Sequence, residues 1–542
     1  MAPELRILIR RQNRPLDMNA NNNFRYGEDR LSIGLALDIA GGRLRGVLDR
    51  AARERITRSR QHVDAIVSSG QMVYGINTGF GPLCTTIIPA GDIRKLQVNL
   101  LQSHSVGVGD PVPEEISRLM LILKSHALAM GYSGIAPETA GRILWHIDND
   151  IIPVVPSQGS VGASGDLAPL AHLFLPLIGL GRVVDGGVVL DSATVLQRYG
   201  LKPLELGAKE GLALINGTQF IGAYAVKVAE RLQSCLDHAD IVAAMNLEAM
   251  LGSAQPFIPE LHELRPYAGC RYVADRIHGM LDGSEILRSH EHCSRVQDQY
   301  SLRCIPQVHG ASRNAWLHLK EMLHTELNSV TDNPIIFDAH KAVSGGHFHG
   351  QPLAMPLDYA TLAAAELGNI SDRRIYFSLE GRIEGLPKLL MADTGLNSGF
   401  MIPQYTSAAL VSENKTLCFP ASADSIPTSL GQEDHVSMGP ISARKALMVV
   451  ENLEKILAIE LVCAAQGFDF RKPLKSTPML NACHDYVRSR IDPVQIDRVF
   501  ADDIQTAIDI IRRKELVGIV NETADTLHID IRNERHETFG IY

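Results

Sequence analysis

Residues 157–168 read SQGSVGASGDLA, and six of these twelve are Gly or Ser. Such a run favours a turn over helix or strand, and Ser164 within it is a residue type that can act as a nucleophile. The hydrolase elbow G-x-S-x-G is nevertheless incomplete. Asp166 stands where Gly162-Ala163-Ser164-Gly165 would need a closing Gly, and Gln158 replaces the first Gly of the overlapping frame. The phosphate-binding patterns G-x-x-x-x-G-K-[ST] and G-x-G-x-x-G are absent, and HELRPY and HEHCS both lack the second His of H-E-x-x-H. Arg288-Ser289-His290-Glu291-His292 and His347-Phe348-His349 bring imidazoles together without a third ligand at helical spacing. No metal is expected from them.

What remains is a series of polar and aromatic islands. In order they are VYGINTGFG (73–81), LLQSHSVGVG (100–109), GASGD (162–166), ALINGTQ (213–219), VQDQYSLRCIPQ (296–307), SGGHFHGQP (344–352) and GQEDHVSMG (431–439). Taken singly, each reads as a loop or a helix end. The segments between them are mostly helical in pattern. PVPEEISRLMLILKSHALAMG opens on Pro and two acids and stops at Gly131, as a helix with a favoured N-terminus should. Trp316, Leu319, Leu323 and Leu327 share one helical face, DYATLAAAELGNISDRR is rich in small residues, and 441–466 is apolar nearly all round. VVDGGVVL predicts a hairpin turning at Asp185-Gly186-Gly187. The expected fold is mostly α: a long central helical bundle over 221–542, a smaller loop-rich domain over 30–220 that carries the GASGD loop, and a polar lead-in over 1–29. Long apolar helix faces also invite subunit packing.

Composition removes several classes of function. A net charge of −9 argues against nucleic acid, which needs a basic face. The stretch AHLFLPLIGLG is shorter than a membrane span and contains Pro176, so no membrane insertion is expected. Eight Cys without a C-x-x-C pair fit reduced thiols and a cytoplasmic protein.

In their order the islands closely resemble the family of histidine and aromatic amino-acid ammonia-lyases and aminomutases, from about residue 30 to about 520. The resemblance implies that Ala163, Ser164 and Gly165 cyclise, with loss of two waters, into a 4-methylidene-imidazol-5-one (MIO) group. No added cofactor is then needed. Gly165 lacks a side chain, so its nitrogen can approach the carbonyl carbon of Ala163. The resemblance makes Tyr74 the base, a role that requires its pKa to fall from the ordinary value of about 10. Glycines 75, 79 and 81 would let that loop open and close. Arg303 resembles the clamp on the substrate carboxylate. Asn216 and Tyr300 resemble partners of the ring and of developing charge, Gln297 a further polar contact, and Phe348 the neighbouring aromatic. The family architecture is a homotetramer whose sites combine residues from several subunits. Ser103 and His104 stand at the position that selects the side chain, in histidine lyases and in some tyrosine enzymes alike. Glu433, in the Gln-Glu-Asp-His form of histidine lyases, favours an imidazole; Tyr405 resembles a phenol contact. The small amino-acid substrate is therefore L-histidine, giving trans-urocanate, with a tyrosine or phenylalanine ammonia-lyase or 2,3-aminomutase as the alternative.

Overall fold

The computed structural model of the chain describes residues 23–291, 293, 295–529, 531 and 536–542. The start of the expected lead-in, residues 1–22, lies outside the described residues, as does His292. The chain forms two compact units. One comprises residues to Ser157 with Leu170–Asn216 and Leu327–His347; the other comprises Gln158–Pro169, Gly217–Glu326 and Phe348–Tyr542. The first unit's middle segment ends at Asn216, and the division is not linear. The GASGD loop belongs to the second unit, because its backbone hydrogen bonds run to Gly217 and Met438.

In the first unit, α1 (Arg50–Ser69) starts on the Asp49 carboxylate, which accepts the Ala52 N–H, and stops at Gly70 in the left-handed region. Its buried face is Ala52, Ile56, Ser59, Val63 and Ile66. Then come α2 (Ile93–His104) and α3 (Glu114–Ala129), the latter opening on Glu114 and Glu115 as the sequence indicated. The predicted hairpin forms between β1 (Arg182–Asp185) and β2 (Val188–Asp191), with positive φ at both Gly186 and Gly187. Positive φ at both turn residues matches the right-handed strand twist. The short helix α4 (Glu210–Ile215) and the strands β3 (Ile335–Asp338) and β4 (Lys341–Val343) complete the elements that matter here. Val63, Ile66, Ile76, Ile93, Ala208 and Ile336 form a common apolar core, which ties the loop after α1 to β3.

The second unit is built on α5 (Gln219–Ala249), α6 (Ile305–Glu326), α7 (Gln351–Leu379), α8 (Met401–Leu417) and α9 (Gly439–Asp469). Helix α9 is buried on most sides, as its all-round apolar composition requires. Small residues let α7 approach it closely: a Cβ at Gly368 would stand 3.1 Å from Ile456 Cδ1. Trp316 Nε1 donates to the Ala229 carbonyl at 2.7 Å, fixing α6 on α5.

The bundle interior also holds alternating charges. Arg374 donates twice to Glu460, at 2.5 and 3.0 Å, and Asn246 donates to the same carboxylate at 2.7 Å. His309 Nδ1 lies 2.8 Å from Asp240, Arg313 reaches Asp240 at 2.5 Å and Asp237 at 2.9 Å, and Arg276 reaches Asp237 at 2.6 Å. Burial alone would raise the Asp240 carboxyl, but Arg313 and His309 outweigh it and hold the pKa at about 2.

Candidate active site

The GASGD loop is backbone under constraint. Gly159, Gly162, Ser164 and Gly165 all have positive φ. For Ser164, at +50°, this costs on the order of 1 kcal/mol. A Cβ at Gly165 would lie 2.2 Å from the Gly217 carbonyl oxygen, and one at Gly162 would lie 2.2 Å from Ser437 Oγ. Neither position admits a side chain. The loop is pinned at both ends: Met438 N–H donates to the Val161 carbonyl at 2.9 Å, and Asp166 N–H donates to the Gly217 carbonyl at 2.8 Å. Asp166 Oδ2 also accepts from Phe220 and Ile221 N–H, at 2.8 and 3.0 Å, in the first turn of α5. Ala163 packs on Val436 and Met438.

Across 269 positions of sequence, the Ser164 hydroxyl donates to Glu433 Oε1 at 2.9 Å. The other carboxylate oxygen accepts from Thr428 Oγ1 at 3.0 Å and from Ser429 Oγ at 2.7 Å. Thr428 N–H donates to the Glu433 carbonyl at 2.9 Å, closing a turn that fixes the carboxylate. Glu433 is thus a turn residue rather than a helix-start acid. Among the described residues it forms no ion pair, so only neutral hydroxyls share its charge. Thr428 and Ser429 lie outside the islands; their hydroxyls, five and four positions before an acid in a Gly-containing turn, were the available signal.

The other second-unit candidates cluster in two places. Tyr300 and Arg303 occupy one short helical turn, Tyr300–Arg303, with the guanidinium 4.6 Å from the Tyr300 ring centroid. Arg303 Nε is buried without a hydrogen-bond partner, Arg303 forms no ion pair among the described residues, and Gln297 is exposed just before this turn. Gln297 lines a cleft of about 470 Å³ with His278, Arg288, His290 and Arg295. Half-buried Phe348 precedes His349, whose ring stacks on His435 with centroids 5.7 Å apart. Gly350 beside it has no space for a Cβ, which would lie 2.5 Å from Ile221 Cδ1. The SGGHFHGQP and GQEDHVSMG islands therefore meet. Tyr405, by contrast, projects from α8 with 60% of its surface exposed and makes no hydrogen bond among the described residues.

In the first unit, Tyr74 is half-buried, and its hydroxyl accepts a long hydrogen bond of 3.4 Å from Gly81 N–H. Residues 75–79 are buried and cross-bonded: Asn77 Oδ1 accepts from Val73, and Thr78 Oγ1 accepts from Gly75. A Cβ at Gly75 would stand 2.4 Å from Leu212 Cδ2, and one at Gly79 would stand 2.5 Å from the Leu83 carbonyl. Both glycines are closely packed, and Gly75 also has φ +70°. Ser103 Oγ and His104 Nδ1 lie 3.1 Å apart at the end of α2, with Ser103 exposed. Asn216 is buried just after α4; its Nδ2 donates to the Asn333 carbonyl at 2.8 Å, and its Oδ1 has no partner among the described residues. Among the described residues no group of three His, Cys, Asp or Glu side chains could hold a metal, and no helix is long and apolar enough to cross a membrane.

The family model described as aromatic amino acid lyase matches residues 31–489. A histidine ammonia-lyase of Sorangium cellulosum is 49% identical over 490 residues, covering 88% of this chain and 95% of its own length. The crystal structure of histidine ammonia-lyase from Trypanosoma cruzi is 41% identical, covers 94% of this chain and 97% of its own, and superposes with a TM-score of 0.85. Tyrosine aminomutase from Streptomyces globisporus is 35% identical over 92% of this chain and 99% of its own, with a TM-score of 0.87. The backbone is thus equally like an enzyme named for histidine and one named for tyrosine.

Proposed function

The chain belongs to the aromatic amino acid lyase family, and from that premise we propose that it eliminates ammonia from L-histidine to give trans-urocanate. The observation that carries this reading is Glu433: its Oε2 is held by the Thr428 and Ser429 hydroxyls, and its Oε1 meets the Ser164 hydroxyl, which would leave as water on ring closure and free that oxygen beside the loop. A carboxylate held this way can take a charged hydrogen bond from an imidazole, and leaving it unpaired against an apolar ring would cost binding. The 49% and 41% identities to histidine lyases, against 35% to the tyrosine aminomutase, support the same choice.

The loop fits an internal prosthetic group. Successive positive φ values at Ser164 and Gly165, and the lack of room for a Cβ at Gly162 and Gly165, suit a triplet folded tightly on itself. Closure of Ala163-Ser164-Gly165 to MIO would supply an electrophilic methylidene carbon for the substrate amine. The remaining work falls to side chains. Tyr74 removes the β-proton, and Arg303, whose fork forms no ion pair among the described residues, holds the substrate carboxylate. Asn216 and Tyr300 stabilise developing charge, Phe348 shields the ring, and Ser103, His104, Gln297 and Tyr405 line the substrate.

We also propose a homotetramer with shared sites. Tyr300 and Tyr405 are 71% and 60% exposed in a single chain, as expected of site residues awaiting a neighbour. Met355, Tyr359 and Leu362 make an exposed apolar patch in the first half of α7. Light scattering should return four times the chain mass.

Turnover on L-histidine and L-tyrosine, followed side by side in the ultraviolet, tests the substrate. Urocanate from histidine alone supports the reading; coumarate or β-tyrosine replaces it with the tyrosine lyase or aminomutase. Glu433→Gln should lower kcat/KM for histidine by about 10²-fold with an unchanged melting temperature. Unchanged kinetics would remove Glu433 from substrate selection.

A further inference from the structure

Asn216 is held from both ends by a circuit that begins and ends at one buried lysine. Lys209 is fully buried, has φ +70°, and opens α4, the six-residue helix after which Asn216 follows. Its carbonyl accepts the Ala213 N–H at 2.8 Å, so its backbone sets the first turn of that helix. Its ammonium lies 2.7 Å from Asp332 Oδ2, also buried. The second oxygen of Asp332 accepts the Asn333 N–H at 2.6 Å. The Asn333 carbonyl in turn accepts from Asn216 Nδ2 at 2.8 Å. The path therefore runs from Lys209 through α4 to Asn216, and returns through Asn333 and Asp332 to the Lys209 ammonium. Lys124 adds a third hold, donating to the Asn216 carbonyl.

Each part of this circuit is costly by itself. A lysine side chain without solvent pays a desolvation cost that one carboxylate offsets only in good geometry, and a buried ion pair is a weak source of stability. Left-handed φ at a residue other than Gly adds strain. What this secures is direction: with Nδ2 committed, Asn216 Oδ1 is a buried polar atom with no partner among the described residues, fixed on three sides.

We propose that the Lys209–Asp332 pair is a positioning device for lyase turnover, which acts by fixing the Asn216 carboxamide through the Asn333 carbonyl. It rests on the reading that Asn216 works in the lyase site. Neither Lys209 nor Asp332 touches substrate.

The test uses the full-length protein with Asp332→Asn, and with the paired change Lys209→Met/Asp332→Asn, which leaves no lone charge buried. Intact mass, melting temperature, kcat and KM for L-histidine are measured, then repeated on an Asn216→Ala background. The expected result retains the two-water mass deficit and lowers kcat about 10²-fold, with KM within about threefold, as for a reacting group displaced by about an ångström. On Asn216→Ala the same changes should add less than about threefold, because both act through one side chain. Unchanged kcat, a change confined to KM, multiplied losses, or disappearance of the mass deficit would each overturn the proposal. Wild-type turnover and mass test the parent reading separately; if tyrosine is the accepted substrate, the same cycle is run on it.

Discussion

The second unit contains two polar regions that are satisfied in opposite ways. In the bundle core, Asp237 and Asp240 lie between Arg276 and Arg313, and Arg374 meets Glu460 with two parallel hydrogen bonds. Charge cancels charge within a few ångströms. Among the candidate site residues, Glu433 is held by hydroxyls and, separately, the Arg303 guanidinium rests on a tyrosine ring, its Nε without a partner among the described residues. Charges that are already neutralised can only hold the fold together. Charges left open can receive a ligand, so the amount of unpaired potential separates the two regions better than the number of charged residues does.

The contrast can be broken at either end. The largest effect should come from Ser164→Ala, which is expected to reduce turnover by about 10⁴-fold, roughly 5.5 kcal/mol of barrier. Its melting temperature and assembly should match wild type, and its mass should lack the two-water deficit; full turnover would remove the loop from the chemistry. Arg313→Met should do the reverse. With Asp240 losing its main cation and Asp237 the weaker of its two, the fold should lose about 3–5 kcal/mol, seen as a lower melting temperature. Its kcat well below that temperature should stay within about twofold of wild type. A smaller effect should appear in acid. Because Asp240 has a folded pKa of about 2 against an ordinary value near 3.9, its stabilisation is complete above about pH 4 and is lost as pH falls through 2. The loss is on the order of 2 kcal/mol, and Asp240→Asn should flatten that limb of a melting-temperature profile.

Much of this architecture can be read from local pattern. The apolar run at 441–466, the acids before α3 and the Gly186-Gly187 turn each specify their own conformation, and each forms as expected. The islands are legible because they carry unusual residues, but the meeting of Ser164 with Glu433 is read from the structure alone. What does not show in the sequence is pairing at long separation. Asn246 and Glu460 are 214 positions apart, and Arg374 and Glu460 are 86 apart, so no periodicity links them. The second-unit membership of residues 158–169 is hidden for the same reason, since it is fixed by Gly217 and Met438. The glycines of the Tyr74 loop hide a demand of another kind, because Gly75 has φ +70° and lies against Leu212, which its local sequence does not show.

The span between Ser164 and Glu433 has a consequence in time. A ribosome completes Ser164 269 residues before it adds Glu433. At about 5–20 residues per second, the loop waits on the order of ten seconds to a minute without its carboxylate or the Met438 amide. Any reaction that needs the clamped loop is deferred until translation has passed α9's first turn and the late helices have docked. Its product would then be a record, written into the mass of the chain, that synthesis and assembly had been completed in order.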